Sequence, residues 1–125
     1  MPPKKLPKGV TRRTDGVLEK LTPHFDIGQV KAVVAQHGAK CFTFSAQQGF
    51  QAMGLSLADA IASIAGMDGP GCFYKAMTTY HDETLWQDVY HVSTPKGLAY
   101  VKFQIVLPPP GSHQSPKLVI SFKAK

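Results

Sequence analysis

The sequence predicts an α+β domain in which helices cover one face of a four-stranded antiparallel sheet. Two observations carry this expectation. Apolar residues recur at helical spacing up to about residue 65, and from Cys72 onward the period changes to two. The strand candidates then follow one another through connections of turn length, which favours antiparallel neighbours over crossovers.

Asp26 is placed to cap a first helix whose stripe is Ile27, Val30, Val33 and Val34, and Gly38 is placed to end it. The run Cys41 to Phe44 reads as a short strand, followed by a helix capped by Ser45 and stopped by Gly54. Ser56 heads a third helix with Leu57, Ala60, Ile61 and Ile64 on one side, closed by Gly66. The glycines of 66–71 form a loop with no phosphate-cradling spacing. Strands are expected over 72–80, 84–92, 98–107 and 117–124, with the last two joined by the Pro-rich Leu107 to Pro116 connection. No internal repeat is present.

Composition narrows the class. With 125 residues, 43% of them hydrophobic and 18% charged, the chain is one domain with enough apolar side chains for a core. Its two cysteines are too few for a disulfide framework or a four-thiolate zinc site, and its five histidines show no ligand spacing. The sequence opens on Pro and Lys rather than an apolar signal segment, holds no membrane-length apolar run and lacks Asn for glycosylation. A cytoplasmic protein with free thiols, no membrane association and no bound metal or other cofactor is expected.

The net charge of +6 is unevenly spread. Residues 1–20 carry six cations against two carboxylates and read, with residue 21, as a flexible basic arm (1–21) before the folded domain (22–125). Residues 21–88 carry three lysines against six acids, and residues 89–125 carry five lysines and no acid. A polyanionic partner follows from such a basic end, although edge lysines also serve solubility.

Strand alternation says where that charge points. In the third strand Ala99, Val101, Phe103, Ile105 and Leu107 share the core face, leaving Tyr100, Lys102 and Gln104 on the other. In the last strand Leu118, Ile120 and Phe122 face the core, with Ser121 and Lys123 opposite. In the first two strands the alternation is ambiguous: Lys75 falls with Phe73, Met77 and Thr79, and Gln87 with Leu85, Val89 and His91, and these join the open face if they too turn away from the helices. Trp86 falls opposite Gln87, where core packing is its expected role. An open face displaying Lys75, Gln87, His91, Tyr100, Lys102 and Lys123 suits RNA. Lysines neutralise phosphate, an amide reads base edges, and a phenol stacks or holds a hydroxyl. The same groups supply what metal-independent RNA cleavage needs: a proton acceptor for the 2′-OH, charge stabilisation at phosphorus and a donor for the 5′ oxygen.

The run FYKAMTTYHDETLWQDVY, from Phe73 to Tyr90, resembles the signature of the motility quorum-sensing regulator (MqsR) toxins of the RelE-like superfamily. Thr22-Pro23-His24, Gln29-Val30-Lys31, Tyr100 with Lys102, and Ser121-Phe122-Lys123 match the same family in order. The resemblance implies a RelE-like toxin fold over residues 22–125. It also implies a ribosome-independent endoribonuclease that cuts mRNA at GC-containing triplets such as GCU without metal, inhibiting translation under stress. Family positions tied to catalysis match Lys75, Gln87, Tyr100 and Lys123, with Lys102, His91 and Gln104 as RNA-binding neighbours. The implied partners are mRNA and a cognate antitoxin, MqsA-like, with a zinc-holding half and a helix-turn-helix half. His24, in the matched turn, is expected to act as a hydrogen-bonding cap rather than an acid or base. Two readings from other classes stay open: a noncatalytic RNA- or DNA-binding module that uses the basic sheet face, and an interaction subunit that offers a sheet edge for strand addition.

Overall fold

A computed structural model describes residues 6–80, 82–106, 109–114 and 117–125. His81, Leu107, the first residues of the basic arm and part of the Pro-rich connection lie outside the described residues. The chain runs β1 (Val10–Arg12), β2 (Leu18–Lys20), α1 (Ile27–His37), a 3-10 turn (Gly38–Cys41), α2 (Phe44–Ala52), α3 (Leu57–Ala65), α4 (Gly69–Cys72), β3 (Phe73–Thr79), β4 (Asp82–Thr94), β5 (Gly97–Val106) and β6 (Lys117–Ala124).

The α+β class holds, but the expectation of a four-stranded sheet is overturned. The sheet has six strands in the order β1-β2-β3-β4-β5-β6, every neighbouring pair antiparallel. The two extra strands come from the segment assigned to the basic arm. They are three residues each, too short for alternation to announce them, and Gly16 at φ 91° helps turn one into the other. β2 then joins β3 through the pairs Glu19 with Met77 and Lys20 with Ala76.

The helix signals of α1 and α3 behave as chemistry demands. The Asp26 carboxylate accepts the Gln29 N–H, and Gly38 caps the other end at φ 54°. Ser56 and Asp59 form a reciprocal capping box. Between them the expected strand at Cys41 to Phe44 is replaced by the 3-10 turn. Phe42 makes only an isolated parallel bridge to Ile120, and Thr43 rather than Ser45 caps α2 by accepting the Ala46 N–H. Thr43 and Ser45 are both competent caps, and the bridge to β6 fixes the chain at the earlier one. Within 66–71, expected to be loop, Pro70 opens the single turn of α4.

The core lies between the helices and the inner face of the sheet. Val30, Val34, Phe50, Ala60 and Ile64 from the helices meet Tyr90, Val92, Val101, Phe103, Ile120 and Phe122 from the strands. Phe50 packs edge-on against Phe42 and Phe122, with centroids 5.6 and 5.9 Å apart. Full burial of such side chains stabilises the fold by about 1.5–3 kcal/mol each before entropy is counted. Helix α2 lies against the β6 edge so closely that a Cβ on Gly49 would collide with the Phe122 carbonyl. The helices thus occupy the inner face, and the outer face of the sheet remains open.

Candidate active site on the open sheet face

The strand register brings the sequence-selected residues into rows across the outer face. Lys75 pairs with Val89, Val89 with Lys102, and Lys102 with Ser121. One step along, His91 pairs with Tyr100 and Tyr100 with Lys123. One step the other way, the Gln87 amide donates to the Gln104 carbonyl oxygen at 3.0 Å. Lys75, Gln87, His91, Tyr100, Lys102, Gln104 and Lys123 therefore share one surface. Val89, in the middle of it, is fully buried, which places the flanking side chains over it.

The tightest grouping lies towards β6. A depression of about 260 Å³ is lined by Ser45, Ala46, Tyr100, Lys102, Ser121, Phe122 and Lys123. The Lys123 ammonium stands 5.2 Å from the centre of the Tyr100 ring, and His91 lies 6.0 Å from that ring on the other side. Burial, reinforced by the Lys123 charge, pulls the Lys102 ammonium below the usual lysine range. Among the described residues no carboxylate forms an ion pair with Lys102 or Lys123. Desolvation and the Lys125 charge lower His91 as well.

The Lys75 end differs. Lys75 Nζ lies 2.6 Å from Glu19 Oε2, so its charge is already matched by β2. Sequence reasoning missed Glu19, because nothing in a three-residue strand marks it. It also missed Tyr74. Lys75 was grouped with Phe73, but a register irregularity between Phe73 and Lys75 turns Phe73 inward to pack on Tyr90. Half-exposed Tyr74 stacks on His91 at 4.5 Å. No alternation pattern can announce such a bulge, since it breaks the alternation itself.

Trp86 lies opposite Gln87 but outside the packed core, a correction to its expected role. It stacks on the His24 ring at 5.3 Å, beneath the Lys20 ammonium at 4.5 Å. On the inner face the His24 ring packs on it, and Gln29 of α1 lines the same depression without drawing it into the core cluster. The His24 backbone N–H donates to both oxygens of Asp88, at 2.9 and 3.1 Å, and the Phe25 N–H donates at 2.9 Å. Asp88 is fully buried, and these bonds tie the start of α1 to β4. Desolvation raises the Asp88 carboxyl, opposed by the same N–H donors. Burial and Lys20 lower the His24 ring, whose Nδ1 lies 2.8 Å from Lys20 Nζ. His24 thus anchors a turn through its backbone, while the α1 cap itself is Asp26.

Chemically, the open face can hold a chain of phosphates on lysines, stack bases on Tyr74 and Tyr100, and offer amides to base edges. Among the described residues no cluster of His, Cys, Asp or Glu is arranged to hold a metal ion, and no helix is long and apolar enough to cross a membrane.

Residues 22–124 match the family described as motility quorum-sensing regulator, toxin of MqsA. The chain is also 37% identical over 108 residues to the mRNA interferase toxin MqsR of Escherichia coli strain K12, an alignment covering 86% of this chain and the whole of that relative. The matched segment includes every residue of the open-face constellation and begins just after β2. The chain belongs to the MqsR toxin family.

Proposed function

We propose that this protein is the toxin of a type II toxin-antitoxin system, a ribosome-independent mRNA interferase that cleaves at GC-containing triplets of the GCU type and so inhibits translation. The observation that carries the proposal is the grouping of Tyr100, Lys102 and Lys123 around one depression of the open face, inside the segment shared with the family. In the reaction the ribose 2′-OH loses its proton and attacks the adjacent phosphorus in line, and the 5′ oxygen leaves as it takes up a proton, with Tyr100 or His91 transferring the protons. The products are a 2′,3′-cyclic phosphate and a 5′-hydroxyl. Lys75 and Lys123 stabilise the charge on the nonbridging oxygens, Gln87 positions the RNA, and Tyr100 orients or deprotonates the 2′-OH. Lys102, His91 and Gln104 bind neighbouring nucleotides. Side chains supply each of these functions, so the cut proceeds without metal.

The cognate partner in this proposal is an MqsA-like antitoxin with a zinc-binding half and a helix-turn-helix half, and both proteins act in the cytoplasm. The test is incubation of the purified chain, with EDTA present, on an RNA bearing one GCU among control triplets, followed by mapping of the ends. A cut confined to the GC-containing site is expected. Tyr100→Phe and Lys75→Ala are expected to lower the rate by about 10²-fold or more with unchanged circular dichroism. Binding without any cut would replace this proposal with a noncatalytic RNA-binding module.

A further inference from the structure

The β1-β2 hairpin lies outside the four long strands that carry the site, yet it places a carboxylate on one of the lysines assigned to phosphate. Glu19 Oε2 lies 2.6 Å from Lys75 Nζ, and Glu19 Oε1 lies 3.9 Å from Arg13 Nε. Arg13 is in turn steadied by Asp15 at 2.7 Å. The Glu19 and Lys75 side chains keep only 23% and 21% of their surface exposed, so solvent screens this pair less than an open surface pair. A carboxylate held between an ammonium and a guanidinium stands where the nonbridging oxygens of a phosphate would make the same contacts.

We propose that Glu19 occupies a phosphate subsite formed by Lys75 and Arg13, and that substrate RNA displaces it, so that the hairpin sets the affinity of the site. The proposal rests on the reading of the open face as an RNA site. Two negative groups cannot share Lys75 at this distance without repulsion, so a phosphate gains Lys75 only as Glu19 leaves. The hairpin is built to allow this. β2 is three residues long and meets β3 at two residue pairs, whereas β4, β5 and β6 pair along most of their length. Glu19 is not among the residues lining the depression of Tyr100, Lys102 and Lys123, where this reading places the 2′-OH, and it is held instead by Lys75 and Arg13. Its effect is on binding: it competes with the phosphate for Lys75 and so lowers affinity.

The experiment measures binding of the full chain to a GCU-bearing RNA made uncleavable by 2′-deoxyribose at the cut position, between 50 and 200 mM salt. Glu19→Gln, which keeps an acceptor for Lys75 but no charge, is expected to bind about fivefold tighter. The slope of log affinity against log salt should stay near the wild-type value, since a phosphate takes Lys75 in both complexes. Glu19→Ala should behave alike. In a Lys75→Ala background the Glu19→Gln effect should vanish. A variant that folds to the same circular dichroism spectrum as wild type but binds no tighter, while Lys75→Ala still weakens binding, would overturn this proposal and leave the RNA site standing. Failure of the wild type to bind RNA at all would overturn both.

Discussion

The two edges of the β3 to β6 sheet differ in how they are closed, and each closing element reaches the open face. At the β6 edge, α2 packs backbone to backbone at Gly49 and sends Ala46 and Phe50 into the core. Its first turn, Ser45 and Ala46, forms one wall of the depression that holds Tyr100, Lys102 and Lys123. On the β3 side, the β1-β2 hairpin buries only Val17 and Leu18. It is otherwise held by polar contacts: Leu18 N–H to Thr78 Oγ1 at 2.9 Å, Glu19 to Lys75 and Arg12 to Glu83. The grouping of Tyr100, Lys102 and Lys123 thus rests on apolar packing at one edge, while the other edge carries a polar and more sparsely held element.

The largest effect expected from breaking this contrast is at Gly49. Alanine in a helix interior ordinarily gains roughly 0.5–1 kcal/mol over glycine. Here the added Cβ meets the Phe122 carbonyl, a backbone atom that cannot rotate away. Gly49→Ala should therefore destabilise the protein by about 1–3 kcal/mol, read as a lowered urea midpoint. It should also slow RNA cleavage more than its loss of stability explains, because the strand it displaces carries Lys123. An unchanged midpoint would show that α2 tolerates a gap at this edge.

The same contrast explains what was legible in the sequence. β3 to β6 are seven to thirteen residues long, and their alternation gave their positions and the common face of Tyr100, Lys102 and Lys123, while the faces of Lys75 and Gln87 stayed ambiguous in the two earlier strands. The caps Asp26 and Ser56 were legible because a side-chain acceptor before an apolar stripe has a direct mechanism. The hairpin was not, since Val10–Arg12 and Leu18–Lys20 offer one alternation each amid Pro, Gly and Lys. Glu19 was consequently invisible as a partner of Lys75. The turn at Cys41 was misread because a Thr- and Phe-containing run satisfies strand propensity, while the long-range bridge of Phe42 to Ile120 decided its conformation. Tyr74 was missed because the bulge beside it breaks the alternation, and Trp86 was assigned to the core although the His24 ring, not the core cluster, packs on it.

A smaller effect separates the two ends of the open face electrostatically. Lys75 has a carboxylate against it, whereas Lys102 is half-buried with Lys123 on the next strand and Tyr100 and His91 nearby. Burial and Lys123 hold the Lys102 ammonium below the usual lysine value, so it loses its proton, and with it a positive charge, earlier as pH rises. Affinity for uncleavable RNA should accordingly fall in wild type as pH climbs from 8 towards 10. Lys102→Arg, which stays charged throughout, should hold its affinity better by about threefold at the upper end. Identical profiles for the two proteins would place Lys102 outside the phosphate path.

The smallest effect is expected where the hairpin meets β4. Arg12 Nη1 donates to Glu83 Oε2 at 3.0 Å and to the Gly16 carbonyl at 3.0 Å, but the paired side chains are 46% and 58% exposed. Water and salt screen such a pair, and ordering two long side chains offsets what remains. A cycle of Arg12→Ala, Glu83→Ala and the double variant should give a coupling of less than about 0.5 kcal/mol by urea unfolding. Hydrogen exchange at residues 10–20 should change little in any of them, because Leu18, its N–H bond to Thr78 and the two β2-β3 pairs remain. A larger coupling would mean that the hairpin is pinned from outside by this pair, and Glu19 would then be harder for RNA to displace than its contacts with Lys75 and Arg13 alone imply.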